Sequence, residues 1–332
     1  MDKIIKDFLA EIKFGEIQVF KNMAVIPISA EEKLNSEYLT LKEAMDTEVL
    51  TITEINPSGS VPELKAINKG KIPVLILDGE EIIGAKQNRV LNTTVLLKEE
   101  SETIIPVSCT EQGRWHNTSD KFYDSEMVTA HKVRFFTNKS VSMNLDHHRS
   151  FRSDQGRVWS EINYYSKASN AKSSTGAMRD VFEHKKENLD DYIKSFKFCS
   201  GQNGIFVFLQ GKAIGFDYIS LSSAYEGLHR KLVKSYAIDA VMQKDNGDYY
   251  ASEEKARELV DKLNNSNLKK FDSVGYGRDY RFEGKGVIGS SLVWKDNVIH
   301  MACFNIDDPD NIDLNDIGQM SSYRRRMDNW NQ

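Results

Sequence analysis

Lys86, Gln87, Asn88, Arg89 and Asn92 interrupt the stretch "EEIIGAKQNRVLNTTVLL", whose flanks otherwise read as buried strand. An arginine offers a planar fork to a phosphate or carboxylate and a lysine offers a point charge. The neighbouring amides can pair with sugar hydroxyls or a base edge, since each carries donors and an acceptor. The same side chains could instead tie a broad loop to its surroundings by satisfying buried backbone groups. A second cluster follows in "IPVSCTEQGRWHN". Arg114 suits a phosphate, Trp115 a base face, and Gln112 a polar edge. Glu81 and Glu111 are the candidate acids or bases, and Cys109 is a candidate nucleophile if a cation lowers its pKa. A third cluster, "FRSDQGRVWSEI", places Arg152, Gln155 and Trp159 around a helix start. There an anion or a second stacking partner could sit.

Other signals are weaker. His147 and His148 beside Asp146 lack HxH or HxxxH spacing, so no metal site is read from them, and no cofactor is identified. His300 alternates with apolar residues and reads as a satisfied sheet histidine. "SSTGAMRDV" lacks the GxxxxGK[ST] order of a phosphate loop, and GxSxG, HExxH and kinase signatures do not occur.

The elements that must hold these clusters are of two kinds. Residues 15–116 are a succession of short β-branched runs separated by turn signals, which predicts an antiparallel sandwich or barrel-like domain after an amphipathic helix at 1–14. Asp78-Gly79 in "IPVLILDGEEIIG" is the pair a tight hairpin turn accepts. Residues 117–150 show weak periodicity and read as a connecting segment, either a long loop or a strand pair. From 151 to 305 helical spacing alternates with hairpins, giving an α+β half with a helix capped by Ser174 or Thr175 and another over about 223–242. An acidic then basic tail covers 306–332. The fold class is therefore α+β.

Composition narrows the partners. A formal charge of −5 argues against a general polyanion binder, so nucleic acid is not the expected partner. The three cysteines stand far apart, and no opening apolar run resembles a signal peptide, which reads as a cytoplasmic chain with reduced thiols. No window is apolar enough to span a bilayer.

Taken in order, "VPELKAINKGKIPVLILDGEEIIGAKQNRVLNTTVLL", "IIPVSCTEQGRW", "DQGRVWSEI", "SSTGAMRDVFE" and "GFDYIS…YAIDAV" resemble the ARG-and-Rhodanese-Phosphatase-superfamily-associated protein domain family over roughly residues 15–305. That resemblance implies a link with ADP-ribosylglycohydrolases and phosphatases, and hence with NAD-derived or ADP-ribose-like molecules. The expected function is binding of a phosphorylated, ribose-containing small molecule, with hydrolysis of an N-glycosidic or phosphoester bond as its enzymatic form. The alternative is a non-catalytic nucleotide sensor or protein-interaction module.

Overall fold

The computed structural model describes residues 2–33, 36–244, 247 and 249–305; the expected tail at 306–332 lies outside them. Within this range 8 helices and 18 strands form a mixed α+β fold. A nine-stranded antiparallel sheet runs in the order Lys13–Phe14, Met23–Ser29, Gly204–Leu209, Lys212–Ile219, Asn297–Asn305, Val287–Trp294, Arg278–Gly284 and Asn267–Asp272, with Gln18–Phe20 alongside Met23–Ser29.

Both faces of that sheet are covered. Ile205, Val207 and Leu209 face a helical layer that includes Gln155–Ser169 and Ser222–Met242. Phe206 and Phe208 face the helices Lys3–Glu11 and Glu253–Asn264. Side chains alternate across a strand, so two apolar faces turn "GIFVFL" into an unbroken apolar run. Met23–Ser29, expected within the amino-terminal β-rich unit, pairs with Gly204–Leu209. Its six consecutive buried residues are the sequence trace of a strand covered on both sides.

The second body is a curled, half-barrel antiparallel sheet, ordered Phe122–Val128, Glu80–Gly84, Arg89–Leu91, Ser101–Cys109, Glu63–Asn68 and Leu50–Thr53. A small sheet of Val95–Leu97, Val74–Ile76 and Leu39–Thr40 closes over its concave side. Ile82, Leu91, Ile105, Val107 and Phe122 meet Val74 and Ile76 in one apolar cluster.

Three expectations are corrected. Asp78-Gly79 turns the chain, but Val74–Ile76 pairs with Val95–Leu97 while Glu80–Gly84 pairs elsewhere, so the two segments are not a hairpin. Buried charge separates them: Asp78 pairs with Arg134, and Glu80 pairs with Lys231 at 2.8 Å. The connecting segment 117–150 is neither loop nor strand pair, since it holds the strand Phe122–Val128 and the helix His131–His148. Periodicity failed there because the buried face of that helix includes His131, Arg134, Thr137 and Asn138, which no apolar template counts. The helix expected after Ser174 or Thr175 starts at Met178 with Ala177 as its N-cap, and it divides at Lys185 into Met178–His184 and Lys186–Ser195.

Candidate functional site

The polar interruption is the hairpin loop between Glu80–Gly84 and Arg89–Leu91, whose strands pair as Glu81 with Val90 and Ile82 with Arg89. Gly84 begins it at φ +122°, and a Cβ there would stand 2.5 Å from Ser119 Oγ and 2.8 Å from the Lys121 carbonyl oxygen. Only glycine fits that approach. Strand alternation then sorts the side chains. Arg89 shares the concave face with Ile82, Leu91 and Val107, whereas Glu81 and Ile83 lie on the convex face.

Arg114 is the tie that holds this loop. Its Nε donates to Glu111 Oε2 (2.9 Å), and Nη1 donates to the carbonyls of Ala85 (2.6 Å) and His116 (3.1 Å) and to Thr118 Oγ1 (3.2 Å). Nη2 reaches the Gly84 carbonyl at 3.3 Å, Asn88 Oδ1 at 3.1 Å and Glu111 Oε2 at 2.7 Å. Every N–H of the guanidinium is engaged. Glu111 also accepts the Asn88 N–H (3.2 Å). Burial pushes its pKa up, but the Arg114 hydrogen bond, with Thr175 and Asn88, outweighs burial and holds it below the ordinary carboxylate value. The Gln112 carbonyl accepts from Gln87 Nε2 at 3.5 Å, extending the same web.

Arg89 is different. It is 0% exposed, yet among the described residues its side chain makes one hydrogen bond, from Nη1 to Gln87 Oε1 (3.2 Å). Nη2 stands 3.8 Å from Glu54 Oε1, too far for a hydrogen bond. Nε, Nη2 and Glu54 Oε2 have no hydrogen-bond partner among the described residues. Burial draws this guanidinium below its ordinary pKa, against the pull of Cys109 and Glu54. Over it lies Trp115, 47% exposed, with the Arg89 Cζ and the Lys86 Nζ each 5.6 Å from the ring centroid. A desolvated guanidinium with donors to spare, a half-wet indole and a second cation thus converge at the mouth of the half-barrel.

The remaining sequence-predicted residues are placed around this centre. Cys109 is buried, and burial pushes its thiol up to about 11 despite Arg89 nearby, so it is a poor nucleophile at neutral pH. Its backbone is held by Gln155, which accepts the Cys109 N–H at 2.7 Å and donates to its carbonyl at 2.9 Å. Asn92 donates to the Phe151 carbonyl (3.1 Å) and accepts from Ser108 (2.7 Å). Arg152 is exposed and 3.6 Å from Glu63, and Trp159 packs against the apolar layer of the large sheet. Glu81 is buried on the convex face, where Thr110 Oγ1 donates to it at 2.6 Å. Burial raises its pKa to about 7, while Thr110, Ser125 and Arg179 pull the other way.

Two participants escaped the sequence reading. Glu54 follows the strand Leu50–Thr53 in "TITEINPSG", a lone carboxylate ahead of a turn that offered no pattern. Arg179 sits inside "SSTGAMRDV", a segment whose small residues resemble a phosphate loop and whose single arginine carries no motif of its own. It lines an open hollow of about 350 Å³ on the convex face together with Asn88, Arg114 and Tyr123.

Among the described residues no helix is long and apolar enough to cross a membrane, and no cluster of three or more His, Cys, Asp or Glu side chains could hold a metal ion. No curated protein and no solved structure matches the chain. The model of the ARG and Rhodanese-Phosphatase-superfamily-associated Protein domain matches residues 11–304, from the strand Lys13–Phe14 to the strand Asn297–Asn305, and so takes in every site residue described above. The chain belongs to that family.

Proposed function

We propose that the mouth of the half-barrel binds a phosphorylated, ribose-containing small molecule of the ADP-ribose or NAD-derived class. The observation that carries the reading is Arg89: a buried guanidinium whose Nε and Nη2 have no hydrogen-bond partner among the described residues, beside Glu54, whose Oε2 also has none. Burying such a charge short of hydrogen bonds costs several kcal/mol, which a ligand oxyanion would offset. Lys86 supplies a second positive charge, Trp115 a face on which a base stacks, and Glu54 an acceptor for a ribose hydroxyl. The resemblance of the sequence to a family associated with ADP-ribosylglycohydrolases and phosphatases motivates the choice of ligand class.

Hydrolysis is the second reading. Glu81, raised to about 7, holds a proton near neutrality but lies on the convex face, opposite Arg89, so at the mouth Glu54 is the carboxylate beside the ligand. Glu111, engaged by Arg114, is a carboxylate with no proton to give. Calorimetric titration with ADP-ribose and NAD, followed by mass spectrometry of the products, tests both readings. Binding that Arg89→Met weakens by about 1.5–3 kcal/mol, the scale of a charge-assisted hydrogen bond, is the expected result. Absence of binding across that panel removes the proposal, and binding without turnover removes hydrolysis.

A further inference from the structure

The convex face carries a feature that the mouth does not explain. The hollow of about 350 Å³ lies on the side of the hairpin opposite Arg89, because its wall residues Ile83 and Tyr123 are cross-strand partners facing away from the concave cluster that holds Ile82 and Phe122. Its hydrogen-bonding groups are almost all donors. Arg179 makes no hydrogen bond or ion pair among the described residues. Asn88 spends its Oδ1 on Arg114, which leaves its Nδ2 pointing a pair of N–H groups at no protein acceptor. The Tyr123 hydroxyl is likewise unengaged, on a side chain 49% exposed.

The acceptors nearby are already used. Thr118 Oγ1 takes the Arg114 Nη1 proton, and Ser119 Oγ takes the Ala85 N–H. No carboxylate lines the wall; Glu81 lies beneath it, buried against Thr110. The segment bearing Arg179 is fixed in place: Met178 N–H donates to the Thr110 carbonyl (3.0 Å) and Gly113 N–H to the Thr175 carbonyl (2.7 Å). A Cβ on Gly113 would stand 3.0 Å from Thr175 Cα, so that junction is closely fitted. The backbone that carries Arg179 is therefore fixed beside the hollow.

We infer that this hollow is a second, independent binding site, which takes a small phosphate monoester with Arg179 as its charge partner and Asn88 and Tyr123 as its neutral donors. A wall whose free groups are a guanidinium, an amide NH₂ and a hydroxyl, with no carboxylate among its lining residues, favours an oxyanion, and the volume suits a ligand the size of a sugar phosphate. The inference does not rest on the reading of the mouth, whose cation is Arg89 on the other face.

Titration of the full chain with inorganic phosphate and with ribose 5-phosphate tests it. In an Arg89→Met background, which removes the cation of the mouth, ribose 5-phosphate still binds; adding Arg179→Gln weakens that binding at least about tenfold, with Tyr123→Phe between them. Arg179→Lys, which keeps the charge, recovers part of the loss. Thermal melts of all four variants verify that the fold is intact, as expected for an arginine that makes no hydrogen bond or ion pair among the described residues. Equal affinity in Arg179→Gln overturns the inference, as does the absence of binding to either probe. Loss of ribose 5-phosphate binding in Arg89→Met with full binding in Arg179→Gln also overturns it, by placing the probe at the mouth. Failure of ADP-ribose to bind leaves this result unaffected and bears on the mouth alone.

Discussion

Arg134 and Asp217 meet as a two-pronged ion pair, with Nη1 2.9 Å from Oδ2 and Nη2 2.6 Å from Oδ1, both side chains 0% exposed. The same guanidinium reaches Asp78 at 3.3 Å, and Tyr236 and His300 complete the shell of Asp217 at 2.7 and 3.3 Å. Asp78 precedes the half-barrel strand Glu80–Gly84, Asp217 belongs to the nine-stranded sheet, and Arg134 comes from the helix His131–His148. One cation therefore fastens three elements, and its hydrogen bonds distinguish it from Arg89. Arg134→Ala, which leaves two buried carboxylates facing each other, is expected to cost about 3–5 kcal/mol in urea unfolding at pH 7. Burial pushes Asp217 up, yet Arg134 outweighs it and holds the pKa far below the usual range. The stability from this pair is present above the unfolded carboxylate pKa of about 4 and is lost as pH falls below it.

Glu81 behaves in the opposite sense. Its folded pKa, about 7, lies above the ordinary value of 4.5, so the folded state holds the proton more tightly than the unfolded chain. Stability from this group is undiminished below about pH 4.5, falls as pH rises towards 7 and stays reduced above it. Glu81→Gln keeps an oxygen for the Thr110 hydroxyl and cannot ionise. Relative to wild type, the variant should gain up to about 3 kcal/mol between pH 4 and pH 8. A pH-independent difference in unfolding free energy would show that the carboxyl group titrates normally.

Arg114 and Arg89 were alike in sequence and separate in stability. Arg114→Ala removes the hub of the loop and leaves Glu111 without its cation, so a loss of roughly 3–5 kcal/mol is expected. The double change Arg89→Met with Glu54→Gln removes two poorly partnered charges and should fall within about 1 kcal/mol of wild type, or above it. Unfolding curves of the two variants side by side decide the matter. A large loss in the double variant would make Arg89 a structural tie like Arg114.

Much of the fold was legible because apolar pattern and turn chemistry agreed with it. Gln210-Gly211 turns the Gly204–Leu209 and Lys212–Ile219 hairpin as expected, with both φ angles positive. Asp154 caps Gln155–Ser169 by accepting the Arg157 N–H, and His300 is a buried sheet residue hydrogen-bonded to Thr94. What failed to show was buried charge. The helix His131–His148 buries Arg134 and Asn138 where an apolar template expects leucine, and Asp78-Gly79 looked like an exposed turn although Asp78 is an internal anion. For the site, the density of polar groups at 86–92 and 109–115 marked two loops that the fold brings together. Composition could not say that Arg114 would be saturated and Arg89 left with spare donors, because that depends on which carbonyls the folded loop turns inward.

The central claim is that a nucleotide reaches Arg89 beneath Trp115. The chain has 4 tryptophans, so indole N–H cross-peaks in a ¹H–¹⁵N spectrum are few, and Trp115→Phe identifies the one that matters. Addition of ADP-ribose should shift the Trp115 cross-peak in a saturable way, and the Arg89→Met with Glu54→Gln variant should show no shift at the same concentration. A Trp115 cross-peak that stays in place at saturating ADP-ribose, or one that moves equally in the variant, would contradict the account.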